Sequence, residues 1–269
     1  VSPLRYPGGK TRACKKLESI INEYFNINEF DTLISPFFGG GSFEFYIQNK
    51  YNLYLNVNDK FTFLYNFWST CVNNKSELCS KLNEYINKLT KDVFLDMRVN
   101  IVNEPSILQQ AVYYFVINRC SFSGATLSGG FSQEASQKRF TVSSIKRIMD
   151  LNLNSDSFKI NNEDFEEFIN KNYTQEQDND LIDKNLMFLD PPYYLEKKSK
   201  LYGSNGDMHE NFDHERLFNC LKTKKKWIMT YNNCDYIKHL YENFEIIETS
   251  WTYGMNKSKK SSEIVIISY

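Results

Sequence analysis

The stretch Leu186-Met187-Phe188-Leu189-Asp190-Pro191-Pro192-Tyr193 joins an apolar run to a stiff, polar corner. The apolar residues read as a strand, so Asp190 falls at a strand's carboxyl end, where open α/β sheets bind their ligands. Each proline holds φ near about −65° and lacks a backbone donor. The corner therefore presents acceptors, the Asp190 carboxylate and the Pro191 carbonyl, with the Tyr193 ring directly after them. Acceptors beside a stacking ring suit an exocyclic amine on a planar base. The plain alternative is a proline-rich turn with a surface tyrosine.

Strands and helices alternate on both sides of this corner. Downstream lie a helix over Asp213 to Leu221, a strand over Trp227 to Thr230, a helix over Tyr236 to Tyr241 and two closing strands. Upstream, Phe158-Lys159-Ile160 is a strand with a helix from Asp164. Thr32-Leu33-Ile34 and Leu53 to Val57 are earlier strands, and an aromatic-rich helix around Phe61 to Trp68 follows the second. Such alternation favours a mostly parallel sheet with helices on both faces. In between, residues 76–110 carry apolar side chains three and four apart, as at Leu78, Leu82, Tyr85, Ile86 and Leu89, which predicts helices. Ala111 to Asn118 reads as a buried helix, and Ser121 to Ser136, rich in Ser and Gly, as a loop. This helical region is an insertion. The expected division is a discontinuous domain of residues 1–70 and 155–269, with 71–154 inserted into it.

Two glycine motifs precede the insertion. Phe38-Gly39-Gly40-Gly41-Ser42 follows a strand and opens a helix, with Ser42 as the expected N-cap. Glycines there let a ligand lie against the backbone, and free helix N–H groups attract polar or anionic groups. It is not the dinucleotide fingerprint, because Glu44 stands at the third glycine position. Pro7-Gly8-Gly9-Lys10-Thr11 is not a P-loop, because Leu4 stands where that pattern needs a glycine and no strand precedes it. Taken alone, either motif is explained about as well by an ordinary turn.

In this order, Leu4-Arg5-Tyr6-Pro7-Gly8-Gly9-Lys10, Pro36-Phe37-Phe38-Gly39-Gly40-Gly41-Ser42, a long insert and Asp190-Pro191-Pro192-Tyr193 resemble the DNA adenine methylase family. This is the D12 class, alpha group, of N6-adenine DNA methyltransferases, and the resemblance covers nearly the whole chain. It implies a Rossmann-like S-adenosylmethionine-dependent methyltransferase fold, with a mixed, mostly parallel seven-stranded sheet and an inserted helical target-recognition domain. It also implies site-specific methylation of adenine N6 in double-stranded DNA, with S-adenosyl-L-homocysteine as the second product.

Carried over residue by residue, the resemblance places Tyr6 and Lys10 at the methionine end of S-adenosyl-L-methionine. Phe38, Gly39, Gly40, Gly41 and Ser42 hold the cofactor's backbone side. The ribose falls to Asp59, whose carboxylate can accept from both hydroxyls, or to Asn56, which occupies the family's usual acidic column. Asp164 and Phe165 flank the cofactor adenine, and Ile228 to Asn232 line the target-base pocket. Asp190, Pro191, Pro192 and Tyr193 form the catalytic corner, with Asp190 also bordering the cofactor. Asn118, Arg119 and Phe122 belong to a loop that contacts DNA, Arg5 reaches a guanine edge, and Lys138 and Arg139 meet the backbone. Lys146 and Arg147 are further candidates, as are Lys197, Lys198, Lys200, Lys257, Lys259 and Lys260. The chain departs from the family at Ser35, where a glutamate is usual. It departs again after Gly124, where Ala125-Thr126-Leu127 replaces an arginine-bearing continuation, so the recognised sequence is not inherited.

The implied chemistry is hydrogen bonding of the target amine to Asp190 and the Pro191 carbonyl, which draws its lone pair out of the ring. The base is flipped out of the duplex and stacked on Tyr193. No metal is expected, and His209, His214 and His239 show no metal or triad spacing.

Composition sets broad bounds. At 269 residues, with 41% hydrophobic and 16% aromatic content, the chain can fill one large core. A net charge of −1 excludes a globally cationic nucleic-acid binder but not a local basic face. Six scattered cysteines without Cys-x-x-Cys spacing point to reduced thiols. With no secretory signal and no apolar run long enough for a bilayer, a soluble intracellular protein is expected. A companion restriction endonuclease is a possible partner, and the oligomeric state is open. Two other readings stay open: an amino-methyltransferase for RNA or protein glutamine, and a non-catalytic nucleic-acid-binding relative.

Overall fold

The structure is a computed structural model that describes residues 2–173, 184–194, 212–251 and 262–269. The lysines at 197, 198, 200, 257, 259 and 260 lie outside these. Strands β1 (Thr32–Ser35), β2 (Tyr54–Asn58), β3 (Phe158–Asn161), β4 (Asn185–Leu189), β5 (Trp227–Asn232), β6 (Glu245–Thr249) and β7 (Glu263–Ser268) form one sheet in the order β3-β2-β1-β4-β5-β7-β6. The pairs from β3 to β5 are parallel, and β7 runs antiparallel to both its neighbours. This is the expected mixed, mostly parallel seven-stranded sheet.

Period-two alternation divides the core between two faces. Leu33, Leu186, Phe188, Ile228, Val265 and Ile267 belong to one apolar cluster. Their neighbours Ile34, Met187, Leu189, Trp227, Met229 and Ile266 belong to a second. The first is covered by α1 (Cys14–Tyr24), α2 (Ser42–Tyr51) and α3 (Thr62–Asn73), through residues such as Leu17, Phe43 and Leu64. The second is covered by α9 (Phe165–Asn172), α10 (His214–Leu221) and α11 (Asp235–Leu240), through Phe168, Leu217 and Ile237.

The insertion holds α4 (Lys75–Glu84), α5 (Lys91–Asn100), α6 (Ile107–Cys120), α7 (Gln133–Lys138) and α8 (Val142–Met149). Its axis is α6, buried continuously from Tyr114 to Cys120. Its apolar residues join the first cluster without a break, and α3 runs through position 71. The insert thus extends one helical layer instead of enclosing a core of its own. Ser121 to Ser136 is more ordered than a loop. Two 3-10 turns, Phe122–Gly124 and Thr126–Ser128, lead to α7, whose N-cap Ser132 accepts from the Ala135 N–H. Such short turns carry no apolar period, so composition alone misses them.

The insert is bolted to the amino-terminal segment by Asn118, which is fully buried. Its Oδ1 accepts from the Arg5 N–H at 2.9 Å, and its Nδ2 donates to the Arg5 carbonyl at 2.7 Å. One side chain thereby satisfies both backbone groups of a segment that belongs to no strand. Beside it, Arg119 donates to the carbonyls of Arg139 and Pro3. Replacing Asn118 by Ala strands two backbone groups. It is expected to cost about 2–4 kcal/mol, read as a lowered urea midpoint at unchanged slope.

Candidate active site

The sheet order places a topological switch between β1 and β4, because the chain leaves β1 towards β2 on one side and returns to β4 on the other. At such a point the loops leaving the two strands part, opening a crevice at their carboxyl ends. A cleft of about 560 Å³ lies there, within the range of small-molecule sites. It is lined by the amino-terminal turn, the glycine turn after β1, the segment after β2 and the corner after β4.

Lys10 and Asp190, 180 residues apart, meet in its wall. The Lys10 ammonium lies 2.6 Å from both Asp190 carboxylate oxygens and donates to the Gly8 carbonyl at 3.0 Å. Lys10 is 3% exposed and Asp190 24%, so a buried ammonium is held by a carboxylate that still opens to the cleft. Thr230, fully buried on β5, donates its hydroxyl to Asp190 at 2.7 Å. Asn232 donates to the Tyr194 carbonyl and fixes the chain that leaves the corner. The Tyr193 ring lies 5.1 Å from the Lys10 ammonium and packs at a tilt on Tyr231.

The glycine turn is shaped from below. Gly39 and Gly41 take left-handed backbones, with φ of 52° and 63°. A Cβ on Gly39 would come within 2.7 Å of the Tyr6 ring, so glycine lets the amino-terminal motif seat against the turn. Gly41, not Ser42, occupies the N-cap of α2 and gives no side-chain cap. The Ser42 hydroxyl instead accepts from Thr11. Asp59 accepts from the Gly39 N–H and the Phe61 N–H, each at 2.9 Å. Burial pushes its carboxyl up to about 6, against those two hydrogen bonds. Asp59 faces the cleft, whereas Asn56 is absent from its lining and is engaged by Asn172 and Asn161. Its side chain points to the second helical layer because it sits one residue out of phase with Val57.

At the far end, Phe37, Phe165 and Phe212 form an aromatic wall. Asp164 caps α9 by accepting from the Glu166 N–H, and it pairs with Lys60 and Arg216. Although burial opposes it, these donors hold the Asp164 carboxyl below its usual range. Arg216 lies 4.5 Å over the Phe165 ring. Sequence reasoning missed Arg216, an isolated arginine in a helix with no motif around it. It also noted Glu44 only as a break in a nucleotide fingerprint, yet Glu44 is a buried cleft residue. Among the described residues no cluster of His, Cys, Asp or Glu could hold a metal ion.

The expected DNA-contacting residues separate into two groups. Asn118 and Arg119 are buried and committed to backbone carbonyls, and burial lowers the Arg119 guanidinium to about 10. Both side chains thus brace the amino-terminal segment from within. Phe122, by contrast, is 62% exposed at the tip of a 3-10 turn. That turn packs on Arg5, since a Cβ on Gly124 would fall 2.7 Å from the Arg5 carbonyl oxygen. Lys138 is exposed and pairs with Glu134 one helical turn away, and Arg139 is half-buried.

The chain matches the D12 class N6 adenine-specific DNA methyltransferase family over residues 6–255. No curated protein matches it. The matched span runs from the tyrosine seated on the glycine turn to beyond β6 and takes in the cleft lining apart from Glu263. That match, which spans most of the chain, makes it a member of the D12 class of N6 adenine-specific DNA methyltransferases.

Proposed function

We propose that the enzyme takes its methyl group from S-adenosyl-L-methionine and delivers it to adenine N6 after the base is turned out of duplex DNA into the cleft. The observation that carries this reading is the clamped Asp190 at the wall of a cleft that also holds a glycine turn and an aromatic end. The donor set fits the cofactor. The phenyl wall and Asp164 suit a purine, Asp59 beside the turn suits a ribose diol, and the Lys10 end suits an amino acid. The bound sulfonium supplies an electrophilic methyl group.

The residues of the chain do the rest. Lys10 and Thr230 donate to Asp190 and fix the plane of its carboxylate. An amine placed against Asp190 and the Pro191 carbonyl donates both its hydrogens, which turns its lone pair away from the ring. The same acceptors stabilise positive charge that grows on nitrogen during attack. Tyr193, backed by Tyr231 and near the Lys10 ammonium, offers its face to the base. Positioning supplies the remainder of the acceleration. Phe122, with Arg5, Lys138 and Arg139, supplies the duplex contact.

Methyl transfer to duplex DNA from a radiolabelled donor, with N6-methyladenine mapped afterwards, tests the reaction directly. Asp190→Ala is expected to lower turnover at saturating donor by about a hundred- to a thousandfold, with a loss of donor affinity besides, because the Lys10 ammonium is left unpaired in the cleft wall. Turnover close to wild type, or incorporation into RNA alone, refutes the scheme. Phe122→Ala is expected to raise the KM for DNA about tenfold and leave donor affinity unchanged in calorimetry.

A further inference from the structure

Glu44 is a carboxyl group buried in the cleft, and among the described residues no lysine or arginine forms an ion pair with it. It lies in the first turn of α2, is 3% exposed, and lines the same cleft as Lys10 and Asp190. Ser35, fully buried at the end of β1, donates its hydroxyl to Glu44 Oε1 at 2.7 Å. The serine therefore aims the carboxyl and does not itself reach the cleft. Lys10, the nearby side-chain cation, has its ammonium on both oxygens of Asp190 and on the Gly8 carbonyl. Burial pushes the Glu44 carboxyl up to about 7, and the Asp190 charge adds to this. The Ser35 hydroxyl, the helix N–H and the Lys10 charge pull the other way. A carboxyl in that state gains most from a ligand that brings its own positive charge and hydrogen-bond donors.

We propose that Glu44 is the counter-ion for the α-ammonium group of bound S-adenosyl-L-methionine, with Ser35 as its positioning residue. The inference rests on the donor reading given above and extends it to the amino-acid end of the ligand. Two pairs of opposite charge then sit side by side at that end. Lys10 with Asp190 belongs to the protein, and Glu44 with the ammonium is completed only on binding. A cationic ligand favours the ionised carboxylate, so binding expels a proton when the pH is below about 7. Affinity contributed by Glu44 declines as the pH falls through that value, and it also needs the ligand's amine to stay protonated. Other groups facing this carboxyl are Lys10 and Cys14 from the amino-terminal side and Asp190 from the corner. Cys14 is pushed up to about 12 and does not titrate in this window. Asp59, at about 6, is elsewhere in the cleft and contributes a separate, lower dependence.

The test is calorimetric binding to the full chain, wild type against Glu44→Gln, at about pH 8 and about pH 6. The ligands are S-adenosyl-L-methionine and methylthioadenosine, which lacks the amino-acid part. Glu44→Gln is expected to weaken S-adenosyl-L-methionine binding about ten- to a hundredfold at the higher pH. Methylthioadenosine affinity should be unchanged, which also reports that the variant is folded. The wild type should lose more affinity on acidification than the variant does. Ser35→Ala should give a smaller loss in the same direction. Equal S-adenosyl-L-methionine affinity in wild type and Glu44→Gln overturns the inference, as does an equal loss for both ligands. A wild-type protein that binds neither ligand removes the donor reading itself, and the inference with it.

Discussion

The grip of Lys10 on Asp190 is the contact on which the site depends. It is the point at which the beginning of the chain is fastened to a corner formed much later in it, and its ammonium is buried. Removing one member of such a pair leaves a stranded charge, whereas the intact pair constrains both segments. The flanking interactions serve the same end. Tyr6 seats on the glycine turn, Thr230 holds the carboxylate from the neighbouring strand, and Asn232 holds the chain beyond. What reaches the cleft is one oriented acceptor edge, and none of these groups would orient it alone.

The insertion contributes to the site by mechanical support as well as by surface. Asn118 and Arg119 reach back from the end of α6 to the backbone of Pro3 and Arg5, a few residues before Lys10. The exposed turn at Phe122 begins where that helix ends. The surface suited to a large ligand and the segment carrying the buried ammonium are therefore parts of one packed unit. The turn sits close against the Arg5 backbone at Gly124, and Asn118 at the end of the preceding helix holds that same backbone by two hydrogen bonds.

The sheet and its two helical layers are legible in the sequence because apolar runs ended by glycine or proline leave few alternatives. The corner at Asp190 is legible for the same reason. Contacts between distant segments are not. Nothing in the order of residues shows that Ser35 and Glu44 share a hydrogen bond, or that Arg216 lies over Phe165. Both depend on where α2 and α10 settle on the sheet. Asn118 and Arg119 stand out in the sequence, but burial gives them a bracing task that residue type alone does not disclose. The glutamate missing before Pro36 is a related case. The strand position holds a serine, and a carboxylate bonded to that serine comes from the adjacent helix.

The strand order carries a cost during synthesis. β2 follows β1 closely in the chain, but the strand on the other side of β1 is β4, which begins at Asn185. Until then β1, an interior strand of the finished sheet, is an edge, with apolar residues on both faces and open backbone groups. The whole helical insertion must be made in that interval. Nascent chains are thus exposed to mispairing at Thr32–Ser35 for more than half the length of the protein. The short length of that strand, four residues, limits how much foreign strand it can capture.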